Sequence, residues 1–195
     1  MKSKKTKIGI TGNIGSGKTE FCKYIAGKGY PVIEADELAK NILASDKEVQ
    51  AEVIKAFGPE SFSNGAPDKK FLAETVFSDP EKVVLINSII HPAVIAEIEK
   101  RIEELFVSND KVFVEAALLF EAEMEEMFDL IVLIAADKEK RFARKSKQLD
   151  LADIEKRDNN QILESEKKGA SDFTFQNDGT LEELFAKAEL LLKLI

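Results

Sequence analysis

Gly12-Asn13-Ile14-Gly15-Ser16-Gly17-Lys18-Thr19 places three glycines, an ammonium and two hydroxyls within eight residues. The spacing, a glycine, four residues and then Gly-Lys-Thr, is that of a loop that wraps phosphate groups. Glycine at 12, 15 and 17 lets consecutive backbone N–H groups point inward, where a side chain would block either the dihedrals or the phosphates. A helix beginning at the end of the loop adds the partial positive charge of its N-terminus. Lys18 supplies a mobile charge for the β- and γ-phosphates, and the Thr19 hydroxyl is placed to bind Mg2+. These residues imply a bound nucleoside triphosphate.

Two carboxylates stand where such a site would use them. Asp36 follows the strand-like run Tyr30 to Glu34, and in an α/β sheet ligands bind beyond the carboxyl ends of the strands. Asp36 is therefore a candidate acid-base residue, and equally a helix N-cap for Glu37 to Leu43. Glu115 closes the apolar run that starts at Lys111, the position where nucleotide-hydrolysing folds keep an acidic residue for Mg2+. His91, the only histidine, has no metal-ligand pattern around it and reads from composition as a packed or capping residue.

The elements that must position these groups alternate. Lys7 to Thr11 predicts a first strand, and Phe21, Tyr24 and Ile25 give helical spacing to Glu20 through Lys28 before Gly29. Further strands are predicted at Lys111–Ala116, Leu130–Ala135 and Phe173–Asn177, and a last helix at Thr180–Leu194. Between Lys47 and Phe106 the pattern predicts helices without a strand: a stripe of Val49, Val53, Ile54 and Phe57, a helix at Asp68–Phe77, and one opened by Ser78-Asp79-Pro80. His91-Pro92 is expected to interrupt that last helix, because the residue before proline is pushed out of the helical region. Asp137 is expected to cap one charged helix from Lys138 to Lys168, either a solvated face or a mobile lid with Arg141, Arg144 and Arg157 available for phosphates. The apolar Ala117-Leu118-Leu119-Phe120-Glu121 is expected to line a pocket. Parallel strands joined by helices give a sheet covered on both faces.

Composition narrows the setting. With 195 residues, 44% of them hydrophobic, the chain can bury one sizeable core. A net charge of -8 gives no general attraction to nucleic acid or to an anionic membrane. One cysteine, Cys22, excludes an internal disulfide, suits a reducing compartment and reads as a small buried hydrophobe. No apolar run is long enough to span a membrane and no signal-peptide pattern opens the chain, so a cytoplasmic location is expected.

In order along the chain, the motifs resemble those of the dephospho-coenzyme A kinases. Thr11 to Thr19 is similar to that family's Thr-Gly-Gly-Ile-Gly-Ser-Gly-Lys-Ser, and Val32-Ile33-Glu34-Ala35-Asp36 to its Val-Ile-Asp-Ala-Asp. Leu85, Ile89, His91 and Pro92 resemble Leu-x-x-Ile-x-His-Pro, and Ala117 to Glu121 resembles Pro-Leu-Leu-Phe-Glu. Arg157 with Gln161, then Ala170-Ser171-Asp172, then Asn177-Asp178-Gly179, match the motifs near the C-terminus. The chain departs from the pattern at Asn13 for a glycine, Glu34 for an aspartate and Ala117 for a proline, and Gln148 stands where a second lid arginine is expected. Asn13 is expected to rely on the tolerance of asparagine for left-handed backbone.

The resemblance implies a three-layer α/β/α fold of the P-loop NTPase type, with a five-stranded parallel sheet, a helical substrate-binding insert and a helical lid. One kinase domain would cover 1–195, with a nucleotide-binding core at 1–35 and 110–195, a helical CoA lobe at 36–109 and a lid at 141–168. The implied reaction moves the ATP γ-phosphoryl group to the ribose 3′-hydroxyl of dephospho-CoA. Asp36, Lys18 and Arg144 would be catalytic, and ATP would meet Asn13, Ile14, Gly15, Ser16, Gly17, Lys18, Thr19, Glu20, Arg144 and Asn177. The acceptor would meet Thr11, Asp36, His91, Leu118, Glu121 and Arg157, and Mg2+ would sit at Thr19 and Glu115. The enzyme would act on a small molecule as a monomer or small homo-oligomer. A nucleoside or nucleotide kinase of the same fold, and a non-catalytic nucleotide-binding regulator, are the alternatives. A GTPase-like switch loses ground because the chain has no Asn-Lys-x-Asp and no Asp-x-x-Gly switch sequence.

Overall fold

Burial of Ile8 to Thr11 makes the strand β1 (Thr6–Thr11) the centre of the sheet in the computed structural model, which describes residues 4–76 and 79–195. Its neighbours are β5 (Lys111–Glu115) and β6 (Leu130–Ala135), and β2 (Val32–Glu34) and β7 (Phe173–Gln176) form the edges, in the order β2-β5-β1-β6-β7. Every pairing is parallel. β6 is wholly apolar, and β1 and β5 are apolar through their middles at Ile8–Ile10 and Val112–Val114, because both faces are covered there, as a doubly wound α/β sheet requires. The helices α1 (Lys18–Gly27) and α9 (Leu181–Leu194) contribute Phe21, Ile25, Leu184 and Leu191 to a core with Ile8 and Ile134 of the sheet.

The chain forms two compact units, Met1–Glu34 with Arg101–Ile195, and Ala35–Lys100. The second contains α2 (Ala35–Ser45), α3 (Lys47–Phe57), α4 (Lys69–Val76) and most of α5 (Pro80–Leu105). Asp46 and Asp68 cap α3 and α4 by accepting first-turn N–H groups. Asp79 does the same at the start of α5, with Pro80 as its first residue. Ser78 and Phe77 lie outside the described residues.

Four expectations are corrected. A two-residue hairpin, β3 (Phe62–Ser63) with β4 (Ala66–Pro67), interrupts the helical run, turned by Asn64 at φ 51° and Gly65 at φ 78°. Asn-Gly is a strong hairpin signal, but strands of two residues leave no alternating pattern to read. Ile54 is 38% exposed and does not join Val49 and Val53 in the buried stripe. The charged stretch after β6 is three helices, α6 (Lys138–Lys145), α7 (Leu151–Asn159) and α8 (Glu164–Gly169), because Asp150 caps a new start and Gln161 and Ile162 bond outside the segment. Asp137 occupies the N-cap position of α6 without a side-chain cap bond, and its own N–H donates to Asp178.

The fourth correction is α5, which runs through Pro92 unbroken. Proline deletes one backbone hydrogen bond and crowds the preceding turn, at a cost of about 3 kcal/mol. Ile90, Val94, Ile98 and Ile102 are buried at successive four-residue steps across that point, and each gains about 1.5–3 kcal/mol from burial. The continuous stripe outweighs the local defect. Pro92→Ala should therefore raise unfolding stability in urea by about 1–2 kcal/mol. Unchanged or lower stability would show that α5 is fitted to the proline.

Candidate active site

β1 ends at Thr11 and α1 starts at Lys18, so Gly12 to Gly17 must turn the chain from strand to helix. The surroundings leave no room for side chains at three of these positions, and at Gly12 a Cβ would strike the Ile134 carbonyl oxygen. Gly15 has φ 79° and a Cβ there would collide with the Arg141 carbonyl oxygen, while Gly17 has φ 101° and its Cβ would collide with the Asn177 amide nitrogen. Asn13 needs no left-handed backbone, since the only non-glycine residues with positive φ among those described are Asn64 and Glu123. Its buried side chain turns outward and Nδ2 donates to the Ile162 carbonyl at 3.3 Å. An ordinary backbone thus replaces the expected strain.

The loop is held from outside through its peptide groups. Arg141 donates to the Ile14 carbonyl at 3.1 Å, Arg144 to the Gly15 carbonyl at 3.3 Å, and Asn177 Nδ2 to the Ser16 carbonyl at 2.7 Å. The Ile14 N–H donates to Gln161 Oε1 at 2.7 Å, and the Ser16 N–H closes a turn onto the Asn13 carbonyl at 3.0 Å. On the helix side of the loop the exposed Thr19 hydroxyl donates to Glu115 Oε1 at 2.7 Å. The parallel register that sets Ile10 beside Glu115 brings this 8% exposed carboxylate to the strand end where the loop begins.

The cations divide into two groups. Arg141 is 5% exposed and committed: it pairs with Asp158 Oδ1 at 2.6 Å and donates through Nε to the Ala136 carbonyl. Lys167 is buried too, 2.8 Å from Glu121 Oε1 and 3.3 Å from the Ala117 carbonyl, and burial lowers its pKa against the pull of Glu121. Lys18, half-buried, and Arg157, exposed, have no carboxylate partner among the described residues. Lys145 is half-buried, with its pKa lowered by burial and then by the charges of Lys18 and Arg157; its one side-chain partner is Gln148 Oε1 at 3.3 Å. Sequence reasoning missed Lys145, which sits next to Arg144 and four residues after Arg141, one helical turn.

Other expected residues fall as follows. Arg144 spans the Gly15 and Asn177 carbonyls. Glu20 pairs with Lys23 at 2.7 Å. Glu121 accepts the Ile162 N–H at 2.8 Å as well as meeting Lys167, and braces the Gln161–Ile162 segment that also bonds Asn13 and Ile14. Leu118 is half-buried, whereas Leu119 and Phe120 enter the core. Cys22 is buried, and burial followed by the Glu115 charge pushes its thiol well above the usual range, so it packs as a hydrophobe. In the second unit, Asp36 is the exposed second residue of α2 and therefore not its N-cap, and His91 is half-buried within α5. A cavity of about 460 Å³ lined by Asn13, Arg141, Asp158, Gln161 and Glu164 touches the loop only at Asn13 and takes in neither Lys18 nor Thr19.

The donor atoms suit a magnesium-bound triphosphate. The hydroxyl of Thr19 and the carboxylate of Glu115 are hard oxygen ligands, and the buried Thr11 Oγ1 and Ser16 Oγ beside the loop have no hydrogen-bond partner. Among the described residues no cluster of three or more His, Cys, Asp or Glu could hold a metal without the phosphates. No described helix is long and apolar enough to cross a membrane.

The family model for dephospho-CoA kinase matches residues 6–183. The chain belongs to the dephospho-CoA kinase family. It is 37% identical over 186 residues to the dephospho-CoA kinase of Fusobacterium nucleatum, covering 93% of this chain and 94% of that one. A solved Thermus thermophilus protein superposes with a TM-score of 0.80 at 33% identity, covering 98% of this chain and 99% of the other. The dephospho-CoA kinase from Campylobacter jejuni does so with a TM-score of 0.72 at 25% identity, covering 97% and 96%. The loop, the acidic end of β5 and the helices after β6 thus belong to a dephospho-CoA kinase fold of the P-loop type.

The Arg141–Asp158 pair fixes both α6 and the loop, and it titrates. Burial alone would raise the Asp158 carboxyl, but the hydrogen bond and charge of Arg141, then those of Lys138, hold it below the usual range. A depressed folded-state pKa gives stability that is fully present above the unfolded value of about 3.9 and is lost as pH falls through the folded one. Asp158→Asn should cost about 2–4 kcal/mol at pH 7, and the gap to wild type should close as the pH of denaturation is lowered below about 4. A gap independent of pH would remove the ion pair as its cause.

Proposed function

We propose that this chain transfers the γ-phosphoryl group of ATP to the 3′-hydroxyl of the ribose in dephospho-CoA, giving CoA and ADP, the last step of coenzyme A biosynthesis. The observation that carries the reading is the unneutralised charge of Lys18, Lys145 and Arg157 beside a loop whose peptide groups are already fixed. Lysines and arginine without carboxylates, in a chain of net charge -8, call for an anionic ligand, and family membership names its class.

Phosphoryl transfer through a loose transition state needs in-line positioning and neutralisation of charge on the moving oxygens. Lys18 follows the β- and γ-phosphates, Lys145 and Arg157 approach from the helices after β6, and the loop amides bind without reorganising. Thr19 and Glu115 would hold Mg2+, which when bound would supply neutralisation of the phosphate charge. Arg144, bound to two carbonyls, acts first on the shape of the loop.

Asp36 is assigned to orient the acceptor hydroxyl and take its proton late, since a carboxylate is too weak a base to ionise an alcohol beforehand. Its support is an exposed carboxylate two residues beyond the end of β2, in the first turn of α2, and a match to the family's second aspartate. Of the other residues carried for the acceptor, His91 stands in the helical unit, and Thr11, Leu118, Glu121 and Arg157 in the sheet unit. The cytoplasm is the compartment we assign, with one buried thiol and no disulfide as support.

Purified protein with ATP, Mg2+ and dephospho-CoA should give a product heavier by one phosphoryl group, with adenosine and nucleoside monophosphates left unchanged in parallel. Phosphorylation of those acceptors in place of dephospho-CoA would make it a nucleoside or nucleotide kinase. Asp36→Asn should lower kcat at least a hundredfold with ATP affinity nearly unchanged, whereas Lys18→Ala should weaken ATP binding and turnover together. Near-normal turnover of the Asp36 variant would remove that residue from the mechanism.

A further inference from the structure

We infer that Asn177 is a positioning residue that works on the triphosphate through the loop backbone and makes no essential contact with the nucleoside. The peptide unit is planar and trans, so its C=O and N–H point in opposite directions. Asn177 Nδ2 holds the Ser16 carbonyl at 2.7 Å on the outer side of the loop, which turns the N–H of the same peptide, that of Gly17, toward the inner side. The Gly17 N–H has no partner among the described residues, as expected of a group kept for a ligand oxygen. The neighbouring Ser16 N–H is spent on the Asn13 carbonyl and cannot serve.

Asn177 is itself anchored at three points. Its N–H donates to the Ala135 carbonyl at 2.7 Å, tying it to the end of β6, and its carbonyl accepts from Arg144 at 2.7 Å. The side chain supplies the third bond, and the residue is 5% exposed. It also lies so close to Gly17 that a Cβ there would strike its amide nitrogen, so the glycine and the asparagine require each other. Removing the amide frees the Ser16–Gly17 peptide to rotate, and one charge-directed hydrogen bond donor is lost from the cradle.

The inference rests on the proposed binding of triphosphate at this loop. Calorimetric titration of inorganic tripolyphosphate, ATP and adenosine into wild type, Asn177→Leu and Asn177→Ala separates the two roles. Both variants should bind tripolyphosphate and ATP about tenfold more weakly, by a common factor, with adenosine unchanged. Weaker ATP with unchanged tripolyphosphate would mean a nucleoside contact and overturn the inference. Unchanged affinities with a wild type that binds both ligands would overturn it alone, whereas a wild type that binds neither would overturn the proposed function with it. Should the variants fail to fold, amide NMR on the wild type decides: tripolyphosphate should shift the Gly17 N–H strongly and the Ser16 N–H little, and the reverse pattern would contradict the assignment.

Discussion

A loop can hold a polyphosphate through its backbone only if its peptide groups are turned the right way before the ligand arrives, and in this chain the turning is done from outside. Arg141, Arg144 and Asn177 each take one carbonyl of three successive residues, Ile14, Gly15 and Ser16. The rest of the sheet unit can be understood as what keeps those three donors in place. β6 ends where Ala135 fixes Asn177 and Ala136 fixes Arg141, and α6 starts immediately afterwards so that residues 141 and 144 face the loop one turn into the helix. Preorganisation of this kind moves the cost of ordering the cradle from the reaction into folding.

Charge is arranged in the same two layers. Close to the loop's outer side, Arg141 and Lys167 are neutralised by Asp158 and Glu121 and serve as braces. Lys18, Lys145 and Arg157 have no such partners, and burial first, then the charges of Lys18 and Arg157, lowers the pKa of Lys145. An anion of several charges would neutralise these cations, in a chain whose overall charge is -8. Burial of an ion pair is weak evidence for stability by itself, but here each pair also carries a backbone bond that shapes the site.

The phosphate loop, Lys18, Thr19, Glu115 and the five parallel strands were legible because they follow short-range rules: glycine spacing, apolar runs and an acidic residue at a strand end. The helices after β6 were not, since lysine, arginine and glutamate favour helix throughout and the breaks at Asp150 and at Gln161 are set by a cap and by bonds to residues about 150 positions away. Pro92 misled in the opposite direction, because burial of a long stripe overrides a local breaker. The structural roles of Arg141 and Glu121 could not be read either: whether a charged residue meets a ligand or a buried counter-ion depends on a partner 17 or 46 residues away, and sequence spacing is silent on that.

The most direct measurement is a crystal structure of the chain with a non-hydrolysable ATP analogue, Mg2+ and dephospho-CoA. A preformed cradle predicts that Gly12 to Gly17 keep their backbone, with the Arg141, Arg144 and Asn177 bonds to the loop carbonyls intact, the triphosphate against the inward amides, and the Thr19 hydroxyl withdrawn from Glu115. A loop that rebuilds its peptide orientations on binding, or a triphosphate seated away from Lys18, would contradict it.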